Sequence, residues 1–454
     1  MDEPASASKF GIRRLGAWLG QGETGTVMRG MAMLAAGSGL GRLVGILVIP
    51  LLTRLYTPED FGVLSVFVAL VTIIAPLVTL RYVLALPLSR YDAVALNLLV
   101  LSAVLLLVLT GLVTLLLAAW AEPLLTLVSM QVLVPWWWLI PVAVLGTAAY
   151  EMLTMWATRR RAYKVMARTQ VTQSLGGALV KLGLGVAGMQ PLGLLLGQVV
   201  AQAGAIGQFL RSFAADFRAG WPRVSLRLMR QVAWRHRAFP AWRVPSQFLL
   251  MASMQAPVLF MATMFDAGTT GQFGLALMAL TIPVTVIGQS AGNALYGEAA
   301  NLIKTDRPRV LSIATSVQRR LLLLALPPAL VLFFYGELIF ALLFGEEWRM
   351  AGRFASVLAV AIMFQFTSAP LIQVMNLLRS QAAFLMLNLL RVLGLVAVFW
   401  SARALAFDPG QTVLSYAIFA ALFYLSLSGF VLRALRRDGQ NVAAAKQAAR
   451  PTGD

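Results

Sequence analysis

The sequence predicts an all-α polytopic membrane protein of about twelve transmembrane helices in two six-helix bundles, and three observations predict it. Apolar residues make up 59% of the 454 and charged residues only 12%, with a mean hydropathy of +0.79, a composition foreign to soluble domains. Twelve stretches offer the roughly 20 apolar residues needed to cross a hydrocarbon core of about 30 Å. Basic residues crowd alternate connections: of the 37 Lys and Arg, 30 fall in or at the edge of connections on one side, four likewise on the other and three deep inside spans. By the positive-inside rule both termini are expected in the cytoplasm.

Taken in order, residues 1–29 form a cytoplasmic segment in which Phe10, Ile12, Leu15, Trp18 and Leu19 interleave with Arg13 and Arg14. That pattern suits either a short helix on the inner leaflet or a basic tail. The first span, 30–52, is too long for a signal peptide and carries Arg42. Spans follow at 61–84, 93–117, 135–157, 169–188 and 192–210, completing an N-terminal bundle over 30–211. The longest connection, 212–244, then divides the spans six and six. Its six arginines from Arg218 to Arg237 interleave with Trp221, Leu226, Met229, Val232 and Trp234, an amphipathic basic linker suited to anionic inner-leaflet lipids. His236, inside it, reads as solvated or interfacial. The C-terminal bundle, 245–432, holds spans at 245–265, 271–292, 321–335, 352–377, 383–401 and 412–432, and a basic cytoplasmic tail occupies 433–454. Pro327-Pro328 is expected to interrupt the ninth span. Trp120, Trp136–Trp138 and Trp348 fit an outer aromatic belt, and Trp156, Trp221 and Trp242 an inner one. Pro50 to Gly62 and Pro257 to Gly271 share a pattern, proline, polar turn, glycine opening the next span, that suggests two related halves.

The residue inventory excludes several chemistries. No cysteine and a single histidine leave no disulfide, thiolate or imidazole metal site, and no G-x-x-x-x-G-K-[ST] phosphate loop is present; no cofactor or metal is expected. The excess of 37 basic over 18 acidic residues could address nucleic acid, lipid or an anionic substrate, but loops tethered between spans favour lipid. Charges inside spans are expensive and are functional candidates. Arg42, Lys181 and Arg391 lie in spans one, five and eleven, against the single acid Glu151 in span four, a candidate for ion coupling. Arg81, Arg90, Arg159, Arg243 and Arg379, with Arg160 and Arg161, would form a basic cytoplasmic mouth. Polar side chains such as Gln170, Gln173 and Gln247 are expected chiefly to join helices.

Several motifs carry a resemblance. Leu80-Arg81-Tyr82-Val83-Leu84-Ala85-Leu86-Pro87, followed by Ala95 and Asn97-Leu98-Leu99, the loop Pro50 to Gly62, Phe344-Gly345 with Trp348, Ala351 and Gly352, and Phe239-Pro240 before Pro245-Ser246 together resemble bacterial polysaccharide transporters of the Wzx type. The similarity runs from about Gly37 to Phe399. It implies two bundles around a central cavity, kinship with multidrug and toxic-compound extruders, and a location in the bacterial inner membrane. The implied task is flipping an undecaprenyl-diphosphate-linked glycan for cell-surface polysaccharide, with other polysaccharide-assembly membrane proteins as candidate partners. An acidic residue often follows the Arg-Tyr pair in that family; here the position is Val83, so an ion pair there cannot be carried over.

The expectation is therefore a transporter, not an enzyme: the mouth captures the diphosphate, and Arg42 and Arg391, with Lys181, hold it in the cavity. A drug or metabolite antiporter of the same fold is the nearest rival. A membrane-embedded polysaccharide polymerase or ligase is the more distant one, for which the outer connections are short.

Overall fold

The computed structural model describes residues 22–127, 129–303, 306–375 and 381–448. Among these the secondary structure is entirely helical: α1 (Gly22–Leu55), α2 (Pro58–Ile74), α3 (Asp92–Thr126), α4 (Leu139–Arg159), α5 (Tyr163–Val186), α6 (Leu192–Ala203), α7 (Ile206–Gly220), α8 (Leu226–Arg235), α9 (Val244–Met264), α10 (Ala267–Pro283), α11 (Gln289–Leu302), α12 (Arg307–Phe344), α13 (Arg349–Met375), α14 (Gln381–Ala404) and α15 (Pro409–Ala448). Each predicted span overlaps one or two of these helices. Ten helical stretches are long and apolar enough to cross a membrane. The other two predicted spans fall on α2, which has 17 residues, and on α5, which carries Lys164, Arg168 and Lys181.

Two spans differ from expectation for reasons of proline chemistry. Span two is not one helix to Leu84: α2 stops at Ile74, two residues before Pro76, which has no N–H to donate and crowds the preceding turn. The chain continues through turns to a 3₁₀ segment, Tyr82–Leu88, with Leu80 and Arg81 at φ 46° and 60°. Conversely, Pro327-Pro328 does not interrupt span nine; α12 runs through both as one 38-residue helix. The amphipathic reading of residues 1–21 lies outside the described residues.

The chain's contacts form two compact units. The first comprises Met1–Leu52, Leu70–Ala121 and Pro135–Phe248; the second, Thr53–Ala69, Glu122–Val134 and Leu249–Asp454. In the first unit small residues bring helices close. A Cβ on Gly37 or Gly41 of α1 would lie 2.7 Å from Ala167 Cβ or Ser174 Oγ of α5, and Gly177 of α5 meets Ala201 of α6 in the same way. Interhelical hydrogen bonds fix the register, as the polar residues in spans suggested: Ser38 donates to Gln170, Gln173 to the Gln202 carbonyl at 2.7 Å, and Thr147 to the Gln202 side chain at 3.0 Å. Helix α8 is amphipathic as read. Ser225 caps its start, Met229 and Val232 are buried, and Leu226 and Trp234 are exposed with the arginines. Asn97 of α3 ties this region down, donating to the Arg223 carbonyl at 2.9 Å and accepting from Ser225 N at 3.0 Å.

In the second unit α2 crosses α10 at backbone contact. A Cβ on Gly62 would fall 2.0 Å from the Ala267 carbonyl oxygen, and one on Gly271 would fall 1.8 Å from that of Pro58. The two glycines are the ends of the matched segments, and each meets the residue four positions before the other. Trp348 closes over this crossing. Its indole N–H donates to the Thr53 carbonyl at 3.1 Å, and its ring meets Phe61 edge-on at 4.9 Å. Trp348 and Trp156 are thus buried core residues, not belt anchors, because each finds aromatic or backbone partners within its own unit.

Candidate functional site

The charges predicted to carry function occupy different settings within each of the two units. Arg81 sits in the irregular backbone that follows α2, and it is 9% exposed. Its Nη1 donates to Glu151 Oε1 of α4 at 2.8 Å, and Nη2 reaches Gln247 Oε1 of α9 at 3.5 Å. Its Nε is buried without a partner. Val83, at the position where the resemblance offers an acid, is fully buried. The partner carboxylate for the Arg-Tyr pair therefore comes from α4, and Tyr82 turns away to donate to the Ala233 carbonyl of α8 at 3.1 Å.

Arg159 is likewise held: Nη1 contacts Asp92 Oδ1 at 2.6 Å and Nε donates to the Ser89 carbonyl at 3.2 Å. Arg160 spans Asp216 at 3.0 Å and Asp92 at 3.8 Å, with its guanidinium 5.5 Å from the centre of the Trp156 ring. Arg90, Arg161 and Arg243 are exposed; Arg379 lies outside the described residues. Asp92 and Asp216, which organise the mouth arginines, escaped sequence reasoning because each looked like an ordinary loop or helix-end carboxylate. Their signal was present only as charge balance within a basic region.

Among the in-span cations, Lys181 is embedded: its Nζ donates to Gln198 Oε1 at 2.8 Å, and its stem fills the space a side chain at Gly197 would need. Arg42 is exposed on α1 in the first unit. In the second unit Arg391 is half-exposed on α14, its guanidinium 5.7 and 5.8 Å from the ring centres of Phe423 and Tyr424 on α15, a distance at which ring faces attract a cation. The structure thus joins one mouth residue, Arg81, to Glu151. His236 caps the end of α8 beside Phe239. Burial and the neighbouring Arg235 push its pKa below the ordinary value, so it is neutral near pH 7.

A family model described as polysaccharide biosynthesis protein matches residues 51–353. No curated protein matches the sequence. Among solved structures, the lipid II flippase MurJ in an inward closed conformation superposes with a TM-score of 0.60 at 11% identity, covering 90% of each chain. The eukaryotic MATE transporter AtDTX14 gives 0.54 at 15% identity, over 91% of this chain and 97% of its own. A variant of the Vibrio cholerae MATE transporter VcmN gives 0.56 at 13%, over 91% and 96%. At these identities the likeness establishes the fold.

Proposed function

Because the chain belongs to the polysaccharide biosynthesis protein family, we propose that it is a flippase for polyprenyl-diphosphate-linked oligosaccharide in the bacterial inner membrane, with both termini cytoplasmic. Family membership on a fold shared with a lipid II flippase is the observation that carries this reading. The electrostatics support it. Arg81 engages the one carboxylate within the predicted spans, Glu151, so the in-span balance set by Arg42, Lys181 and Arg391 stays cationic, the sign that favours a diphosphate and disfavours an organic cation. Arg42 and Arg391 would supply charge-assisted hydrogen bonds to phosphate oxygens during alternating access. Arg90, Arg243 and Arg379 would draw the headgroup in, and Lys181, tied to Gln198, would act through local potential. Glu151, held by Arg81, is the group through which an ion gradient could act.

The MATE neighbours support a second reading, an antiporter of small molecules on this fold. Proteoliposomes carrying a fluorescent polyprenyl-diphosphate glycan, with and without an ion gradient, separate the two. Wild-type protein should flip the lipid, and Arg42→Ala or Arg391→Ala should slow it roughly tenfold or more, about 1.4 kcal/mol of lost phosphate contact. Normal flipping by a folded double variant would remove both arginines from the site. Absence of flipping with export of cationic dyes would select the antiporter.

A further inference from the structure

The second unit contains a cleft that the transport reading does not use. It has a volume of about 1080 Å³ and lies where the C-terminal part of α12 meets the first turns of α13 and α15. One wall is apolar and carries Phe334 of α12, which is 70% exposed. The rim is charged with both signs: Glu337, Glu347 and Asp408 against Arg353 and Arg349, the latter also held by Glu346 at 2.8 Å. We propose that this cleft binds a phospholipid with a zwitterionic, primary-amine headgroup of the phosphatidylethanolamine type, the phosphate on the arginines and the ammonium on the carboxylates.

Two features choose this occupant. Residues of α12 form one wall of the cleft, and of the most apolar 18 residues of that helix only 6% are buried. The neighbouring medium is therefore hydrocarbon, and a ligand arrives from the bilayer with its chains against the apolar wall. The rim, in turn, suits a dipolar headgroup better than a single charge. Arg353 Nε holds Glu337 Oε1 at 2.7 Å, but Arg353 is 66% exposed and keeps further guanidinium donors for a phosphate oxygen. Glu347 is exposed and its carboxylate makes no ion pair among the described residues, so it can accept from an ammonium. An ammonium donates three hydrogen bonds where a trimethylated choline donates none. An anionic lipid would meet three carboxylates, and a free sugar would leave the apolar wall dry only in part. The volume, at the upper end of ordinary small-molecule sites, accommodates the headgroup and the first part of the chains.

This inference rests on the membrane character of the chain and not on what it transports. The test is native mass spectrometry of the full-length protein in detergent, titrated in turn with phosphatidylethanolamine, phosphatidylcholine, phosphatidylglycerol and a soluble oligosaccharide. The expected result is saturable retention of one phosphatidylethanolamine, with roughly tenfold weaker retention of phosphatidylcholine. The double variant Glu347→Gln/Arg353→Gln, which alters only exposed side chains, should lose a similar factor while keeping the wild-type thermal midpoint without lipid. Equal retention of the ethanolamine and choline lipids, preference for phosphatidylglycerol or the oligosaccharide, or undiminished binding by the folded double variant would each overturn the proposal. Should the double variant unfold, the single variant Glu347→Gln, whose side chain carries no ion pair, makes the same discrimination between the two headgroups.

Discussion

Arg81 shows how a side chain assigned to a basic mouth can be held by a partner that the sequence does not reveal. Positive-inside logic places it at a mouth, yet Pro76 ends α2 early and the following turns carry the guanidinium inward to Glu151. A residue-by-residue sequence reading could not see this pair, because the two groups are 70 positions apart and the turn that joins them depends on left-handed backbone at Leu80 and Arg81. Breaking one side of a largely buried pair strands the other charge, whereas replacing both partners by apolar groups of similar size is nearly neutral. Arg81→Met and Glu151→Met should therefore each destabilise the protein by about 3 kcal/mol, and the double variant should recover at least about 1 kcal/mol of the summed loss. Thermal unfolding of the detergent-solubilised proteins measures this; strictly additive losses would mean that the pair is a surface contact of little weight.

At the scale of elements, the spans were legible because hydrocarbon thickness and apolar run length are the same quantity expressed in two ways. Their internal breaks were less so. A proline in a span allows the helix to continue, as along α12, or to end, as in α2, and the residue alone does not say which. The glycine pattern was more informative than its length suggested. Gly62 and Gly271, matched as repeat positions from sequence alone, meet at the crossing of α2 and α10, where each helix presents a carbonyl to the place of the other's absent side chain. Gly62→Ala or Gly271→Ala must push these backbones apart and should cost about 2 kcal/mol or more. Gly39→Ala on α1, with nothing within 4 Å of the added carbon, should be neutral or stabilising by up to about 1 kcal/mol through helix propensity. Parallel thermal melts compare the three. Equal behaviour of Gly39→Ala and Gly271→Ala would show that the crossing is not held at backbone distance.

For the molecule as a whole, most of the basic excess falls in or beside the connections between spans, where the positive-inside rule assigns it to orientation. The described pairs sharpen this: Arg159 and Arg160 share Asp92, Arg160 also holds Asp216, and Arg81 takes Glu151, so the charge left for a substrate is smaller than the sequence count implied. What the sequence could not supply was which carboxylate meets which arginine, since that follows from how helices pack and not from any local pattern. Orientation itself is testable with unusual economy, because the chain contains no cysteine and any single introduced thiol is the only one. Ala445→Cys, in the C-terminal tail, and Trp221→Cys, in the exposed basic linker, should react with a membrane-impermeant maleimide only after the inner membrane is opened. Glu346→Cys, exposed between α12 and α13, should react in intact spheroplasts. Trp348→Cys, two residues on and buried, should stay unreactive in both preparations, which separates sidedness from accessibility. Labelling of the tail in sealed spheroplasts would reverse the assignment of both termini, and with it the side from which Arg90 and Arg243 could meet a headgroup.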